Sequence, residues 1–401
     1  MELKEPIRVL LIPSSDYLGH PFPQRHNNLF ERLHNGEHFE VHVVRFSIFG
    51  KPKLETRCVI HEIYPEFKTS KTAVYYLTNV ASYINEVAGI LKRESIDVVV
   101  AGNLLPPLTY SIVSKLMEKR VPFVFDLQDY YPTSAAGYIV NVDSFAGTLV
   151  KGVFEAMTQH LVRVADYVTV PGIALAMYAR EVGAKNVKVI PNGVSEHFLQ
   201  FYDGSKIRRE LGFDENDLVV GYIGSIEFWL DMEPLISAVS TLHKQGKPIK
   251  LLIVGKHLQT GYSRKVELWI KKYGVEKITA WLDFIPYQKV PEYVAAIDVG
   301  TIPFNIKNPT AYYAAPNKLW EYLSQKKLVL STPIPEALMN KDYVFIVRDG
   351  QDYVHLFKEF LYSARSKWVK VVEKGYRKLK ERTWHYSVQK LANLLLKVVK
   401  K

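Results

Sequence analysis

The feature that most constrains the fold is a repeated alternation of short apolar runs with longer segments of helical spacing. Polar residues do not interrupt these runs, which is typical of parallel strands that helices cover on both faces. The first half of the chain therefore predicts a doubly wound parallel sheet. Its predicted strands are Val9–Ile12, Val41–Phe46, Val98–Ala101, Phe123–Leu127, Tyr167–Val170 and Val187–Ile190.

The alternation starts again after a turn-forming cluster, Pro191-Asn192-Gly193. A chain of 401 residues suits two domains, and we predict an N-terminal domain over 1–200, completed by a C-terminal helix 384–401, and a second domain over 201–383. Ligands bind at the carboxyl ends of such strands, so we expect the site in a central cleft that the two domains face. The second set of predicted strands is Val219–Ile223, Leu251–Val254, Ile278–Leu282, Val299–Pro303, Leu328–Ser331 and Val344–Val347.

The charge is concentrated at one end of the chain. Residues 365–401 carry +10 of the net charge of +11, so the remainder is close to neutral. Because a neutral body lacks the basic surface of a nucleic-acid-binding protein, we expect no nucleic-acid partner. The single cysteine, Cys58, permits no internal disulfide. No run of about 18 apolar residues predicts a membrane span. These features indicate a cytoplasmic protein.

In the basic segment 365–401, apolar residues recur at helical spacing from Trp368 onward, which predicts an amphipathic basic helix. One interpretation is a helix that rests on an anionic membrane surface, where each Lys or Arg contributes about 1 kcal/mol. That interpretation places the protein at the inner face of the cell membrane with a lipid-linked acceptor. The alternative is a solvated helix face whose apolar side belongs to an ordinary core.

The richest stretch for chemistry lies just before the predicted strand Leu328–Ser331. Pro316 suits the first turn of a helix, and Asn317 and Lys318 follow where free backbone N–H groups and a cation favour a phosphate. Glu321, one turn later, can accept hydrogen bonds from two hydroxyls, as a ribose requires. The alternative is an ordinary surface pair of Lys318 and Glu321 at i,i+3 spacing.

Further motifs occur in a defined order: Asp126-Leu-Gln-Asp129-Tyr-Tyr-Pro132, Ile190-Pro-Asn-Gly-Val194, Gly221-Tyr-Ile-Gly224-Ser225, Phe284-Ile-Pro-Tyr287, Ala296-Ile-Asp298-Val-Gly300 and Pro316-Asn317-Lys318-Leu-Trp-Glu321. Together they resemble the GT-B glycosyltransferases, especially family 4, over nearly the whole chain. The resemblance implies an α/β fold of two Rossmann-like domains, the second binding a nucleotide-sugar and the first the acceptor. It implies that Glu321 binds the ribose, while Lys318 and the Gly224–Ser225 turn lie near the diphosphate.

The chain departs from the family at three positions. Retaining members usually carry an Arg at Ser225, a Lys near Leu230 and, as the first Glu of a Glu-x7-Glu motif, a Glu at Tyr313. Their replacement weakens the case for a retaining mechanism, and Trp229-Leu-Asp231 resembles a divergent subgroup that includes inverting enzymes. We assign Tyr313 to the donor site, with a packing role as the alternative.

An inverting transfer needs a general base that takes the proton of the acceptor hydroxyl. Asp129, which follows a predicted strand, is the candidate, with an Asx-turn or helix cap as the alternative. Asp126 is expected to stabilise the turn out of the same strand. In the loop after the first strand, Gly19 allows close backbone approach, and His20 and Arg25 are candidates to hold an anionic group, although a lone histidine is more often structural.

The chain lacks Asp-x-Asp, His-Glu-x-x-His and the glycine-rich nucleotide motifs Gly-x-Gly-x-x-Gly and Gly-x-x-x-x-Gly-Lys-Ser/Thr. We therefore expect no metal site and no cofactor, with the helix dipole and side-chain cations acting on the leaving group. The sequence predicts a hexosyltransferase that moves a sugar from a nucleotide-sugar to a glycan or lipid-linked acceptor. A nucleotide-sugar epimerase on the same fold and a catalytically degenerate GT-B binding protein are the alternatives.

Overall fold

The computed structural model describes residues 5–69, 72–116, 120–137, 139–141, 144–256, 260–364 and 366–400. The chain divides into two compact units. Unit 1 comprises Met1–Ala136, Val140–Asn192 and Trp384–Lys401, and unit 2 comprises Gly137–Ile139 and Gly193–Thr383. Arg365 and Lys401, which belong to the basic segment, lie outside the described residues.

Unit 1 is built on a seven-stranded parallel sheet in the order β3-β2-β1-β4-β5-β6-β7. All six strands predicted in this half are present. The edge strand β3 was not predicted, because its sequence VIHEI places two polar residues in the middle of a short apolar run. The strands are β1 (Ile7–Ile12), β2 (Phe39–Phe46), β3 (Val59–Ile63), β4 (Val98–Gly102), β5 (Phe123–Asp126), β6 (Tyr167–Val170) and β7 (Val187–Val189).

Helices cover this sheet, and the strand order reverses between β1 and β4, the place where sheets of this kind bind ligands. The helices before residue 193, where the main segment of unit 2 begins, are α1 (Arg25–Leu33), α2 (Thr72–Thr78), α3 (Val80–Arg93), α4 (Leu105–Val113), α5 (Tyr131–Gly137), α6 (Phe145–Val164) and α7 (Ile173–Val182).

Unit 2 repeats the design with a six-stranded parallel sheet in the order β10-β9-β8-β11-β12-β13, which reverses between β8 and β11. The predicted fold class, two Rossmann-like doubly wound sheets, is therefore confirmed. The strands are β8 (Leu218–Ile223), β9 (Ile249–Val254), β10 (Thr279–Leu282), β11 (Val299–Ile302), β12 (Leu328–Ser331) and β13 (Phe345–Ile346). The helices are α8 (Ser205–Glu210), α9 (Glu233–Lys244), α10 (Ser263–Tyr273), α11 (Val290–Ala296), α12 (Pro309–Tyr312), α13 (Asn317–Ser324), α14 (Pro335–Met339), α15 (Gly350–Tyr362) and α16 (Ser366–Arg377).

The basic segment contributes to both units. In unit 2 the apolar side of α16 packs into the core through Trp368 and Gly375, and Leu379 just beyond the helix is also buried. The final helix, α17 (Trp384–Val399), packs against α1 and joins the core of unit 1. Within the described residues, no helix is both long enough and apolar enough to cross a bilayer.

Candidate functional site

Two glycines end neighbouring strands of unit 2 and bring their backbones together. Gly224 follows β8 with φ +145°, and Gly255 follows β9 with φ +126°, conformations that residues with a side chain rarely adopt. A Cβ on Gly255 would lie 2.2 Å from the Gly224 carbonyl oxygen, so this approach requires glycine. The Gly224 N–H donates to the Val254 carbonyl at 2.9 Å, and the Tyr222 hydroxyl donates to the Ser225 carbonyl at 2.6 Å. These bonds fix the turn.

Lys318, the second residue of α13, extends its ammonium group toward this turn. A Cβ built on Gly224 would lie 2.9 Å from Lys318 Nζ, and Nζ lies 5.4 Å and 5.8 Å from the centres of the Tyr222 and Phe304 rings. Among the described residues no carboxylate forms an ion pair with Lys318, and burial lowers its pKa. A half-buried cation without a counter-ion is suited to binding an anion.

Glu321 lies one helical turn beyond Lys318. Burial raises the pKa of its carboxyl group, while the positive charge of Lys318 and a hydrogen bond from Tyr287 oppose that rise. The Tyr287 hydroxyl lies 3.4 Å from Glu321 Oε1 and 3.3 Å from Ser195 Oγ. Because this one bond is long, the carboxylate keeps lone pairs for further hydroxyl donors. Tyr287 belongs to a motif quoted above, but nothing in that motif indicates a contact with this carboxylate.

The start of α13 differs from the prediction at Pro316. The helix begins at Asn317, and Pro316, with ψ 123°, is the extended residue before it rather than part of the first turn. Asn317 is exposed, and the first backbone N–H groups of the helix have no partner within it. The prediction of a helix N-terminus beside Lys318 is confirmed, with its start moved by one residue.

Tyr313 lies where the short helix α12 ends. Its backbone N–H donates to the Pro309 carbonyl at 3.0 Å, and its ring packs edge-on against that of Tyr312 with 5.2 Å between the ring centres. These contacts fit the packing role. Its assignment to the donor site stays a prediction.

In unit 1, Asp129 lies in the segment between β5 and α5 and is half-buried. The Tyr130 backbone N–H donates to Asp129 Oδ1 at 2.8 Å. Burial raises the pKa of Asp129 to about 6, and the Tyr130 hydrogen bond only partly offsets that effect. Among the described residues no lysine or arginine forms an ion pair with it. A carboxylate with this pKa is largely ionised at neutral pH yet basic enough to accept a proton.

Asp126 accepts a hydrogen bond from Gln128, in the segment that follows β5, at 3.0 Å, as a turn-stabilising residue would, but its other partners lie on distant parts of the chain. It is buried at the end of β5 and accepts two hydrogen bonds from the Arg25 guanidinium, at 3.0 Å and 3.1 Å, and one from Thr169 Oγ1 at 2.7 Å. Burial alone would raise the pKa of Asp126, but Arg25 and the neighbouring His26 hold it well below its usual range. Arg25 also donates to Asn192 Oδ1 at 2.8 Å. It is therefore not the free cation that the sequence suggested.

The loop after β1 is organised by a buried carboxylate, Asp16. This carboxylate accepts hydrogen bonds from the backbone N–H groups of Gly19 and Phe49, both at 3.0 Å. A Cβ on Gly19 would lie 2.3 Å from Asp16 Oδ2, so the glycine makes room for this side chain. His20 Nε2 lies 2.8 Å from Ser15 Oγ, and burial lowers its pKa. Asp16 was not predicted as a functional residue, because its hydrogen-bond partners come together only in the folded loop.

Two family models match the chain and together span more than half of it. The model described as "Glycosyl transferases group 1" matches residues 203–361, and the model described as "Glycosyltransferase Family 4" matches residues 27–198. One curated relative, the D-inositol 3-phosphate glycosyltransferase of Segniliparus rotundus, is 27% identical over 121 residues. That match spans 30% of this chain and 27% of the relative.

Solved structures show the same fold at low sequence identity. Sucrose-phosphate synthase from Thermosynechococcus elongatus superposes with a TM-score of 0.76 and 15% identity, covering 98% of this chain and 99% of that chain. HepE from Anabaena, solved with UDP-glucose, has a TM-score of 0.72 and 17% identity, with 98% and 100% covered. WaaG, a glycosyltransferase involved in lipopolysaccharide biosynthesis, has a TM-score of 0.66 and 16% identity, with 96% and 99% covered. With two Rossmann-like sheets, both family models and these neighbours, the chain belongs to the GT-B glycosyltransferases of the family 4-like type.

Proposed function

We propose that the protein is a metal-independent hexosyltransferase that moves a sugar from a nucleoside-diphosphate-sugar donor to a glycan or lipid-linked acceptor. In this proposal residues 201–383 bind the donor, and residues 1–200 with the final helix bind the acceptor. The observation that carries it is the half-buried Lys318 ammonium, which lies against the Gly224 turn, one helical turn from Glu321, and forms no ion pair within the described residues.

A diphosphate supplies what this part of unit 2 lacks. Its negative charge would pair with Lys318, and the free backbone N–H groups at the start of α13 would donate to its oxygens. The positively charged end of the helix and the lysine would also stabilise the charge that develops on the leaving nucleoside diphosphate. Gly224 leaves room for the Lys318 ammonium group beside the turn, where it could meet a phosphate.

Glu321 supplies the complementary half of a nucleotide site. Its carboxylate can accept hydrogen bonds from both ribose hydroxyls, which would also relieve the cost of its burial. HepE, which shares the fold, was solved with UDP-glucose, and this supports a nucleotide-sugar as the class of donor. Ser225, Pro316, Asn317 and Tyr313 are the remaining residues proposed for the donor site.

Asp129 is the proposed general base of an inverting transfer. Deprotonating the acceptor hydroxyl as it attacks the anomeric carbon requires a carboxylate whose pKa lies near the working pH. The raised pKa of Asp129, about 6, supports that role. In the loop after β1, His20 remains the candidate to contact an anionic group of the acceptor. Arg25 forms an ion pair with Asp126 and is proposed as a positioning residue that acts through this carboxylate.

A thermal-shift screen with UDP-, GDP-, dTDP- and ADP-sugars tests the donor site. We expect at least one donor to raise the melting temperature of the wild type, with the shift strongly reduced in Lys318→Ala and Glu321→Ala. Lys271→Ala, which removes an exposed lysine of α10, is the matched control and should respond as the wild type does. If no nucleotide-sugar stabilises the wild type, or both site variants respond normally, the donor-site assignment is wrong.

Product analysis separates the proposed activity from its alternatives. A glycosyltransferase releases nucleoside diphosphate in proportion to the sugar that reaches an acceptor. An epimerase would convert the nucleotide-sugar with no acceptor present, and a degenerate binding protein would bind it without turnover. Either of those outcomes would replace the proposal.

We also propose that the protein works in the cytoplasm, at the inner face of the cell membrane. Four basic residues of the segment 365–401 support this: Lys370, Arg377, Lys378 and Lys380 are exposed and form no ion pair within the described residues. Like-charged groups on one helix and the turn after it favour an anionic lipid surface.

A further inference from the structure

Two histidines of unit 1 lie together on the outer strands of its sheet, apart from the residues assigned to sugar transfer. His61 on β3 is opposite Val44 on β2, and His42 precedes Val44 by two residues, so both imidazoles are on the same face. The rings stack with 5.2 Å between their centres, and His42 Nδ1 lies 2.9 Å from His61 Nε2.

A carboxylate completes the cluster. Glu94, which follows α3, places an oxygen so that the three potential ligand atoms of His42, His61 and Glu94 all lie within 4.8 Å of one another. Two ligand atoms of one tetrahedral ion are about 3.4 Å apart. The imidazoles therefore need to separate only slightly, and the half-buried Glu94 side chain can move inward to close the site.

A second carboxylate lies close to the buried histidine. Glu40 Oε1 lies 3.4 Å from His42 Nε2, and Arg8 Nε donates to the other Glu40 oxygen at 3.2 Å. Although Glu40 lies this close, His42 Nε2 is buried and forms no hydrogen bond within the described residues. Histidines that bind metals usually direct the other ring N–H at a carboxylate, which leaves the ligating nitrogen with its lone pair free. Glu40 is positioned to impose this tautomer on His42, with Nδ1 facing the cluster.

We propose that His42, His61 and Glu94 bind a divalent transition metal ion of the zinc type, which ties β2, β3 and α3 together. Two imidazole nitrogens and one carboxylate oxygen favour zinc over magnesium or calcium, and water would take the fourth position. The ion replaces the proton shared by the two imidazoles, and neutral His61 then carries its proton on Nδ1. The proposal is independent of sugar transfer.

No spacing rule could have found this site. Its ligands come from two neighbouring strands and the end of a helix, at positions 42, 61 and 94, so only the folded sheet brings them together. The edge strand β3, which carries His61, is also the strand that the apolar pattern did not predict.

Isothermal titration of the chelator-treated full-length protein with ZnCl2 tests the proposal. We expect one saturable zinc ion per chain and a rise in melting temperature, with no comparable binding of MgCl2. His61→Gln and Glu94→Gln should each weaken zinc binding by at least about tenfold, and Glu40→Gln by about 10- to 100-fold. His38→Gln, which changes an exposed histidine, should bind as the wild type does.

Spectroscopy gives a second measurement. Cobalt(II) at a site with two imidazoles and a carboxylate should give the visible bands of a tetrahedral complex, and these should disappear in Glu94→Gln. Circular dichroism establishes whether each variant is folded. Glu94 is half-buried, so Glu94→Gln should fold and test the site even if His61→Gln is unstable. Absence of saturable zinc binding in the wild type, or wild-type affinity in folded Glu94→Gln and Glu40→Gln, would overturn the proposal.

Discussion

Among the described residues, some buried ionisable groups have many hydrogen-bond and ion-pair partners, and others have few. Asp126 has a full set of donors, and its pKa is held low by Arg25 and His26 despite burial. Lys318, Glu321 and Asp129 have few partners. Burial lowers the pKa of Lys318 and raises the pKa of Glu321 and Asp129, so it favours the neutral form of each side chain. Groups of the first kind stabilise the fold, whereas groups of the second kind gain most from a ligand.

Asp129→Asn tests the general base. If Asp129 takes the acceptor proton, the variant should lose about 10²- to 10⁴-fold in kcat while its donor-induced thermal shift is retained. Wild-type activity should fall as the pH drops through about 6, because protonation of Asp129 removes the base. Asp203→Asn, which alters an exposed carboxylate, should keep wild-type kcat. If Asp129→Asn stays active and its activity still falls below about pH 6 as that of the wild type does, Asp129 is not the base.

The same variant should change stability with a definite sign. Because the pKa of Asp129 is higher in the folded state than in an unfolded chain, ionisation of this carboxylate destabilises the fold. Asp129→Asn should therefore melt at a higher temperature than the wild type at pH 7.5. The difference should shrink as the pH falls from about 6 to about 4 and nearly vanish below about 4, where Asp129 is protonated in both the folded and the unfolded state. Melting curves across this pH range provide the measurement. A difference that does not depend on pH would contradict the raised pKa.

Sequence could predict the neighbours of Lys318 better than those of Arg25. Lys318 and Glu321 share one helix, so i,i+3 spacing already places them close together. Arg25 and Asp126 are 101 residues apart, and their pairing depends on the parallel order of β1, β4 and β5. The sequence therefore indicated that Arg25 was available to bind a phosphate, whereas the fold pairs it with Asp126.

At the scale of helices and strands, unbroken apolar runs located the strands because both faces of each sheet are covered. The prediction failed at β3, an edge strand with polar residues, where burial is one-sided. It also placed the start of α13 one residue early, since proline is compatible with both the first turn and the extended residue before it. Close backbone contacts such as that between Gly224 and Gly255 have no sequence signal beyond a glycine after a strand.

Gly255→Ala should damage the Gly224 turn. The new Cβ would lie 2.2 Å from the Gly224 carbonyl oxygen, so the turn that supports Lys318 must move. We expect a lower melting temperature and a reduced donor-induced shift. Gly246→Ala is the matched control, since Gly246 also has a positive φ, +68°, but open space around it. It should cost about 1–2 kcal/mol of backbone strain and leave the donor response intact; equal donor responses in the two variants would contradict this role for the turn.

At the scale of the whole molecule, the excess positive charge lies in the segment 365–401, where many apolar residues are buried and many basic residues are exposed. The apolar side of α16 is used by the core of unit 2. Some of its lysines are also paired, including Lys367 with Glu359 and Lys374 with Asp342. The exposed basic residues that form no ion pair within the described residues are the ones that the proposed membrane contact would use.

Vesicle flotation tests that surface. The protein should float with phosphatidylglycerol-containing vesicles at low salt and dissociate as the salt concentration rises, because screening shortens the reach of exposed charges. Reversing Lys370, Arg377, Lys378 and Lys380 to Glu should abolish binding, whereas reversing four lysines elsewhere on unit 2 (Lys206, Lys244, Lys271 and Lys277) should not. No flotation at low salt, or equal loss with both sets, would contradict a membrane role for this segment.

The most direct test of the proposed donor site compares the affinities of related nucleotides for the wild type and for variants of Lys318 and Glu321. Once the preferred base is known, the dissociation constants of the nucleoside diphosphate, the monophosphate and the 2′,3′-dideoxy diphosphate are measured for the wild type, Lys318→Ala and Glu321→Ala. Each charged contact should contribute about 1.5–3 kcal/mol, or roughly 10- to 100-fold in affinity. Lys318→Ala should abolish the preference for diphosphate over monophosphate, and Glu321→Ala should abolish the preference for ribose over dideoxyribose. Full preferences in both variants would show that the nucleotide binds elsewhere.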